Sequence, residues 1–569
     1  FIGGAFNQMI SYLSRVTPTN LLEPQLKRFD DMIWHHVKGT LIHSSGSEPP
    51  CSAERTKRAE DTARLKRSHQ GLGFTSAVSR AAPAYLASIA LALQDPVFAA
   101  HSWALRDAIE HAHATTLHLV GGSSNILPGS NLAYALPINP TSLRDSSFFL
   151  ESFDVKPNLK IQTVISKAIE KRRRRLLLDE THPARAKKGT LTKSDAVHIH
   201  LRTTRSQVSR LGSMDLSLSM FRVPCVMFKA FTRYLLNLPQ LIRLGNGKMD
   251  DETGCLSDIC QCEHPQDEFL EPTGDHICSS CKTDAITRQR AHRFLAEGWH
   301  WAAKKAACTS ELEPQLTSTL RGEFSREQTS LMFPKHPSKK ANEAAEKALE
   351  LQQHLQELRS TGASQTQVDE TQAQINALTA SMDVATASRR LDVTITNLDG
   401  SEAWVDTSLV HSTSRSYLDG AEDLVRKVAT AESKERDFGE PNCTIGIPST
   451  GVLRHVQYKT QKYAMLETVA DLQVQKGIRA NKPTFMAACV SHLCEFSQPV
   501  FSLIGFMAAN LRAATATAMA RRDGRSSVQV VGAFKHEAKN AIVACVARGF
   551  GLMLSAAGVA RNGILRPGG

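Results

Sequence analysis

Cysteine is scarce: twelve in 569 residues cannot build a disulfide scaffold. The chain opens without the charged, apolar and cleavage-site pattern of a secretory signal, so a reducing compartment is expected. Long uncharged apolar runs are missing as well. The most apolar stretch, Ala541 to Ala560, carries Arg548 near its middle, which predicts a buried helix rather than a bilayer span. Acidic residues are outnumbered, with 56 Asp and Glu against 68 Lys and Arg, giving a net charge of +12 and a pI near 9.1. That balance favours a polyanionic partner, nucleic acid before an anionic membrane. With 41% hydrophobic and 22% charged residues, neither wholesale disorder nor a polytopic membrane protein fits, and the length predicts three to five domains. Residue 1 is Phe, which suggests a piece of a longer polyprotein.

Helical periodicity opens the chain, with Met9, Ile10, Leu13 and Val16 on one face and Leu22, Leu26, Phe29 and Ile33 after a break at Pro18. Residues 43 to 72 read as a polar linker, and an Ala-rich helical run follows Gly71-Leu72-Gly73-Phe74 as far as Leu93. The helix from Ile161 to Leu178 contains Lys171 and then Arg172 to Arg175. This run reads as a solvated face or a nuclear address before a phosphate grip. Residues 335 to 388 predict an antiparallel helical hairpin, with Leu351, Leu355 and Leu358, a break at Thr361-Gly362, then Val368, Ile375, Leu378 and Met382. The period then falls to two. Leu391, Val393 and Ile395, the turn Leu398-Asp399-Gly400-Ser401 and the run Trp404 to Val410 predict a β-hairpin, so the helical hairpin is expected to be an insertion in an α/β domain.

Between 255 and 281 the chain gathers Cys255, Cys260, Cys262, His264, His276, Cys278 and Cys281, five of the twelve cysteines in 27 residues. Four thiolate or imidazole groups in two short-spaced pairs suffice for a structural zinc ion. The best four are Cys260, Cys262, His276 and Cys281, with Cys255 or Cys278 able to replace one of them. Reduced cysteines in an irregular loop are the plainer alternative. Just beyond, Arg288, Arg290, His292 and Arg293 form a basic helical edge suited to phosphate contacts.

Cleaving a phosphodiester needs a divalent cation held by carboxylates and a positive group nearby. Asp392 and Asp406 lie fourteen residues apart on the two strands of the predicted β-hairpin, where antiparallel pairing brings both to one end of the sheet. Lys459 and Lys462 share one face of a predicted helix, and Glu313, read as ending a helix, offers a third carboxylate. Each of these taken singly also reads as an ordinary surface charge.

The combined order resembles a known family. Cys260-x-Cys262, Gly274-Asp275-His276, Cys281, Arg288 to His292, Glu313-Pro314, Arg390-Leu391-Asp392, Val405-Asp406-Thr407 and Lys459 to Tyr463 resemble the carboxy-terminal region of non-LTR retrotransposon polyproteins with a restriction-like endonuclease. Upstream, Ser11 to Pro18 with Phe29-Asp30 looks like the thumb after a reverse transcriptase palm. Gly71 to Phe74 with Pro83 to Leu86 is similar to the connector that follows it. About half of the chain is covered. The resemblance implies a zinc knuckle ahead of a PD-(D/E)xK nuclease that nicks chromosomal DNA to prime reverse transcription. Asp392 and Asp406 would then bind magnesium or manganese, and Lys459 or Lys462 would be the lysine. The sequence departs from the pattern in three places. Arg390-Leu391 stands where proline is usual, no lysine follows Asp406 at two residues, and some fifty residues separate Asp406 from Lys459, so Lys427 and Lys434 stay open. The aromatic-x-Asp-Asp signature of a polymerase palm is absent, and Phe29-Asp30-Asp31 reads as helix.

The expected architecture is multidomain: mainly α-helical in the N-terminal half, then a small zinc knuckle, then an α/β restriction-endonuclease-like domain. The divisions are 1–110 (thumb-like and connector helices), 111–250 (helical and basic linker), 251–300 (zinc knuckle and basic helix), 301–509 (nuclease, with 335–388 inserted) and 510–569 (apolar helical tail). Expected partners are target DNA and the element's RNA, in the nucleus and also the cytoplasm, with no membrane. Two other readings compete: a nucleic-acid-binding module that has lost cleavage, and a decayed relic of such an element.

Overall fold

The computed structural model describes residues 5–41, 53–65, 71–92, 95, 97–98, 102–126, 130–136, 160–181, 195–199, 222–238, 248–249, 256–259, 269–270, 278, 285–315, 319, 332–333, 339–380, 391–411, 417, 450–515 and 527–561. These residues are mostly helical and carry two small sheets. Helices α1 (Ala5–Val16) and α2 (Thr19–Leu41) flank the Pro18 break, as the periodicity predicts. The polar stretch after them is not all linker. Helix α3 (Ala53–Arg64) buries Ala59 and Ala63 against Val37, Leu236 and Leu238, because its small residues let a highly charged helix lie close to its neighbours.

Helix α4 (Ala77–Ala92) is started by a distant residue. Asp30 on α2 accepts from Ser76 Oγ at 2.5 Å and from the backbone N–H groups of Ala77 at 2.8 Å and Val78 at 3.3 Å. A carboxylate there satisfies orphan donors and meets the positive end of the helix. Phe29-Asp30-Asp31 is therefore helical, with Asp30 serving as a tertiary cap. Helices α5 (Arg106–Val120), α6 (Asn131–Ala135) and α7 (Ile161–Glu180) pack with α4 around Tyr85, Ile109, Ile165 and Ile169. The basic run on α7 is solvated at its ends, where Lys171 and Arg175 are exposed. Arg172 to Arg174 are half-buried, Arg172 donates to the carbonyl of His118, and Arg175 pairs with Asp179 at 3.8 Å.

Helix α8 (Cys225–Leu235) precedes an antiparallel three-stranded sheet, β1 (Lys248–Met249), β2 (Leu256–Ile259) and β3 (Phe269–Leu270). Helix α9 (Ala285–Lys305) leads into β4 (Thr309–Leu312). A helical hairpin follows, α10 (Lys339–Thr361) and α11 (Gln365–Ala380), turning at Gly362 with φ +70°. It separates β4 from β5 (Val393–Thr396), yet the two strands pair directly, so the hairpin is inserted between neighbouring strands. β6 (Glu402–Val410) pairs antiparallel with β5 through the predicted turn, where Gly400 has φ +78°. Helices α12 (Thr450–Lys462) and α13 (Ala464–Gln475) then carry the chain to β7 (Thr484–Ser491), which runs parallel to β6.

Strand periodicity sorts the sheet into two faces. Val393, Ile395, Ala403, Val405, Met486, Ala488 and Val490 pack in the largest core, with α9, α14 (Gln498–Thr515) and α15 (Ser527–Arg561). Trp404 packs with Tyr463 and Leu466 on the opposite face, where Val410 and Cys489 meet Val452. The 509/510 division falls inside α14, and α15 is no appended tail. It buries Ala541, Ile542, Ala544 and Val546 in the same core as the sheet, as a buried helix should. No helix among the described residues is long and apolar enough to cross a membrane.

Helices α9 and α15 approach through small residues. A Cβ added at Gly298 would lie 2.8 Å from Cys545 Sγ, and one at Gly549 would lie 3.1 Å from the Ala291 Cβ. Replacing Gly298 by Val is therefore expected to cost about 1 to 3 kcal/mol by overpacking, read as a lower urea midpoint with little change in slope.

Candidate active site

β6 outruns β5, and this decides the site. β5 begins at Val393 opposite Val405, and Asp392, at a bend just before it, also gives its N–H to the Val405 carbonyl, at 3.0 Å, which sets it beside Asp406. The two carboxylates lie together there, with an oxygen of each within 4.8 Å of the other. Asp406 is on the face covered by α12, because Trp404 and Val410 share its parity. On the edge where β5 has ended, away from β7, the Thr407 peptide finds other partners. Its N–H donates to Asp392 Oδ2 at 2.5 Å, and its carbonyl accepts from Lys459 Nζ at 2.5 Å and faces His292 Nε2 at 2.9 Å. A buried backbone group must be satisfied, and here side chains replace the ladder.

Lys459 comes from α12, one turn before Lys462. Its Nζ lies 2.7 Å from Asp406 Oδ1, and Lys462 Nζ lies 3.8 Å from Asp406 Oδ2. Both predicted lysines therefore reach the carboxylates, with Lys459 the nearer. His292 comes from α9, with Nε2 3.4 Å from Asp392 Oδ2. One ligand atom each from His292, Asp392 and Asp406 can be chosen so that all lie within 4.8 Å of one another. Asp406 Oδ2 is buried and has no hydrogen-bond partner among the described residues, which is what a cation ligand would satisfy. The side chain of Asp406 is 5% exposed and that of Asp392 14%, so the group opens to solvent on the Asp392 side.

Burial disfavours charge on both carboxylates, and their surroundings part them. Burial, reinforced by the neighbouring Asp406 charge, holds Asp392 well above the ordinary carboxylate range. Burial also works against Asp406, but Lys459 and Lys462 together prevail and hold it below that range. The negative charge of the pair thus resides mainly on Asp406. Burial lowers the Lys459 ammonium, and the two aspartates overcome it and raise it. Burial and the Lys459 charge push His292 down, so its ring is neutral at pH 7 and Nε2 donates to the Thr407 carbonyl.

The remaining predicted residues fall elsewhere. Glu313 follows a strand rather than ending a helix. It is exposed with φ +49°, and it contributes a backbone N–H to the Asp392 carbonyl at 2.9 Å while its carboxylate stays outside the metal-competent group. On α9, Arg290 and Arg293 are exposed and Arg293 pairs with Glu297 at 3.2 Å, while Arg288 is half-buried. His292 is drawn away from that basic edge into the carboxylates, one position from Ala291, which is packed on α15. Cys260, Cys262, His276 and Cys281 lie outside the described residues, as do Cys255, Lys427 and Lys434. Cys278 is buried in the main core. The Thr407 peptide and the turn of His292 toward the acids carry no sequence signal of their own. No protein-family model matches the chain, and no curated protein matches it.

Two substitutions separate the aspartates. Asp392→Asn keeps the acceptor for Thr407 N–H and removes a carboxyl whose ionisation the site opposes, so with divalent cations chelated it should stabilise the fold by about 0.5 to 2 kcal/mol at pH 8. A raised folded-state pKa imposes its cost above that pKa and none below the ordinary carboxylate value. The advantage should therefore vanish near the ordinary carboxylate value of 3.8 and grow as pH rises, as denaturant titrations at both ends would show. Asp406→Asn strands the Lys459 ammonium and should cost about 3 to 5 kcal/mol.

Proposed function

We propose that this chain is a metal-dependent DNA endonuclease, the carboxy-terminal part of a non-LTR retrotransposon polyprotein, and that it nicks target DNA so that the exposed 3′ end primes reverse transcription. The observation that carries this reading is the convergence of Asp392, Asp406 and Lys459 from three elements, with the lysine 2.7 Å from a carboxylate oxygen. A module that only bound nucleic acid would need no such meeting of buried, opposed charges, whose assembly is costly without a task.

In this reading Asp392 and Asp406 would hold a divalent cation, joined by His292 once its proton passes from Nε2 to Nδ1 and Nε2 leaves the Thr407 carbonyl. Oxygen donors suit magnesium or manganese, and the imidazole tilts the choice toward manganese. The cation would polarise a phosphoryl oxygen and acidify a water. The chain's own groups do the rest. Lys459 spends two of its three donors on Asp406 Oδ1 and the Thr407 carbonyl among the described residues, leaving one for an oxygen of the substrate or of the attacking water. Lys462 adds positive charge beside the same carboxylate and draws the phosphate inward. The Thr407 N–H fixes the Asp392 carboxylate, so the ligand set is preorganised rather than gathered by substrate.

The missing lysine two residues after Asp406 has a physical substitute. Ser408 occupies that position on β6, and Lys459 reaches the centre from the crossover helix. The restriction-endonuclease-like fold, zinc on Cys260, Cys262, His276 and Cys281, the element's RNA as second partner, and action on chromosomal DNA in the nucleus belong to the same proposal.

The test is nicking of supercoiled plasmid by the full chain with magnesium or manganese. Asp392→Asn and Lys459→Met should each lower the rate by at least about a hundredfold, as for loss of an electrostatic group in a preorganised centre. Since Asp392→Asn should fold more stably than the parent, its loss of activity cannot be laid to unfolding. Undiminished nicking by both variants would overturn the assignment.

A further inference from the structure

A second concave site lies far along the chain from the carboxylates. Helices α1, α4 and α7 enclose a cavity of about 310 Å³ whose walls include Ser14, Arg80, Gln162, Thr163, Ser166 and Lys167. No carboxylate lines it among the described residues. Ser14 is 2% exposed and its hydroxyl has no partner among the described residues, so the cavity wall holds an unsatisfied buried polar group. The Gln162 Oε1 accepts from Arg15 at 3.1 Å, which leaves the amide nitrogen as a donor. Hydroxyls, an amide and two cations without an acid make a set of donors suited to an oxyanion.

The nearest acids lie outside the lining. Asp30, which caps the start of α4, and Glu170, which also acts on Arg173, both act on Arg80 and favour its charge. Arg80 is accessible to solvent yet surrounded by protein, and the burial pulls its pKa down, so its charge is partly stripped of water where a phosphate would meet it. The volume matches the lower end of small-molecule sites, of about 300 to 1,000 Å³, and exceeds what a lone phosphate fills. The surplus space, rimmed by hydroxyls, suits a sugar. With a net charge of +12 favouring nucleic acid, we propose that this cavity binds one nucleotide unit, its phosphate on Arg80 and Lys167, either free or within a single strand.

The experiment uses the full chain without added divalent cation and a fluorescein-labelled single-stranded octanucleotide, read by anisotropy across a salt series. Arg80 and Lys167 are exposed, so Arg80→Gln and Lys167→Glu should fold, which thermal melts would verify. Each should weaken binding about tenfold and reduce the salt slope by about one. Lys340→Glu, an exposed lysine on the helical hairpin, measures the effect of charge alone. Competition by adenosine monophosphate that these variants abolish would assign a free nucleotide, and binding of the strand without such competition would assign a strand. Either supports the site. Affinities in both cavity variants equal to that of Lys340→Glu would overturn it. Plasmid nicking is a separate readout, so failure of this site and failure of the nuclease are distinguishable.

Discussion

An ammonium group cannot remain charged inside a sheet-and-helix sandwich unless a carboxylate meets it, and the Lys459 to Asp406 contact obeys that constraint. The pair is 2.7 Å apart with both side chains at most 10% exposed. Its desolvation is tolerable because Lys459 also donates to the Thr407 carbonyl, so that two of its protons are spent in good geometry. Around this contact the rest of the centre is arranged. β5 stops short so that the Thr407 peptide is free to serve side chains, α12 crosses the sheet at the depth of β6, and α9 brings its histidine over the open end.

Asp392 is the part of the centre that works against the fold. Set beside Asp406 at the start of β5, it is held near a negative charge and away from water. A sequence selected for stability alone would place a neutral residue there. Keeping the acid makes sense when a cation occupies the group, since the repulsion then becomes shared attraction. His292 fits the same logic. It is neutral because the lysine and the burial around it disfavour its charge, and a neutral imidazole is the form that ligates.

The position of His292 depends on packing remote from the chemistry. Ala291 beside it lies against Gly549, and Gly298 lies two turns farther along α9 against Cys545, so at each contact one helix offers a glycine to a small side chain of the other. Residues 527–561, apolar and without chemistry of their own, thereby set where a candidate ligand stands. A unit ending before them would expose the core face of the sheet and release α9.

Much of this was legible in the order of residues. Pro18 and Gly362 fall between helical runs and end them, because one lacks an N–H and the other takes a positive φ, whereas Pro24 and Pro83 lie inside helices. The alternation from Leu391 through Val410 fixes two strands and, through the short turn at Gly400, their register, so the meeting of Asp392 and Asp406 follows from spacing alone. The helical face shared by Lys459 and Lys462 follows in the same way. Partners brought from far along the chain are another matter. Whether Lys459 or another lysine completes the centre depends on how a crossover helix lies over a sheet. Whether His292 serves a phosphate or a carboxylate depends on which way α9 is rotated by α15, and whether Asp30 is an idle surface acid or the cap of α4 depends on a contact 46 residues away. Local spacing records the backbone's own periods; only the packed core, by choosing which faces meet, assigns those side chains their partners.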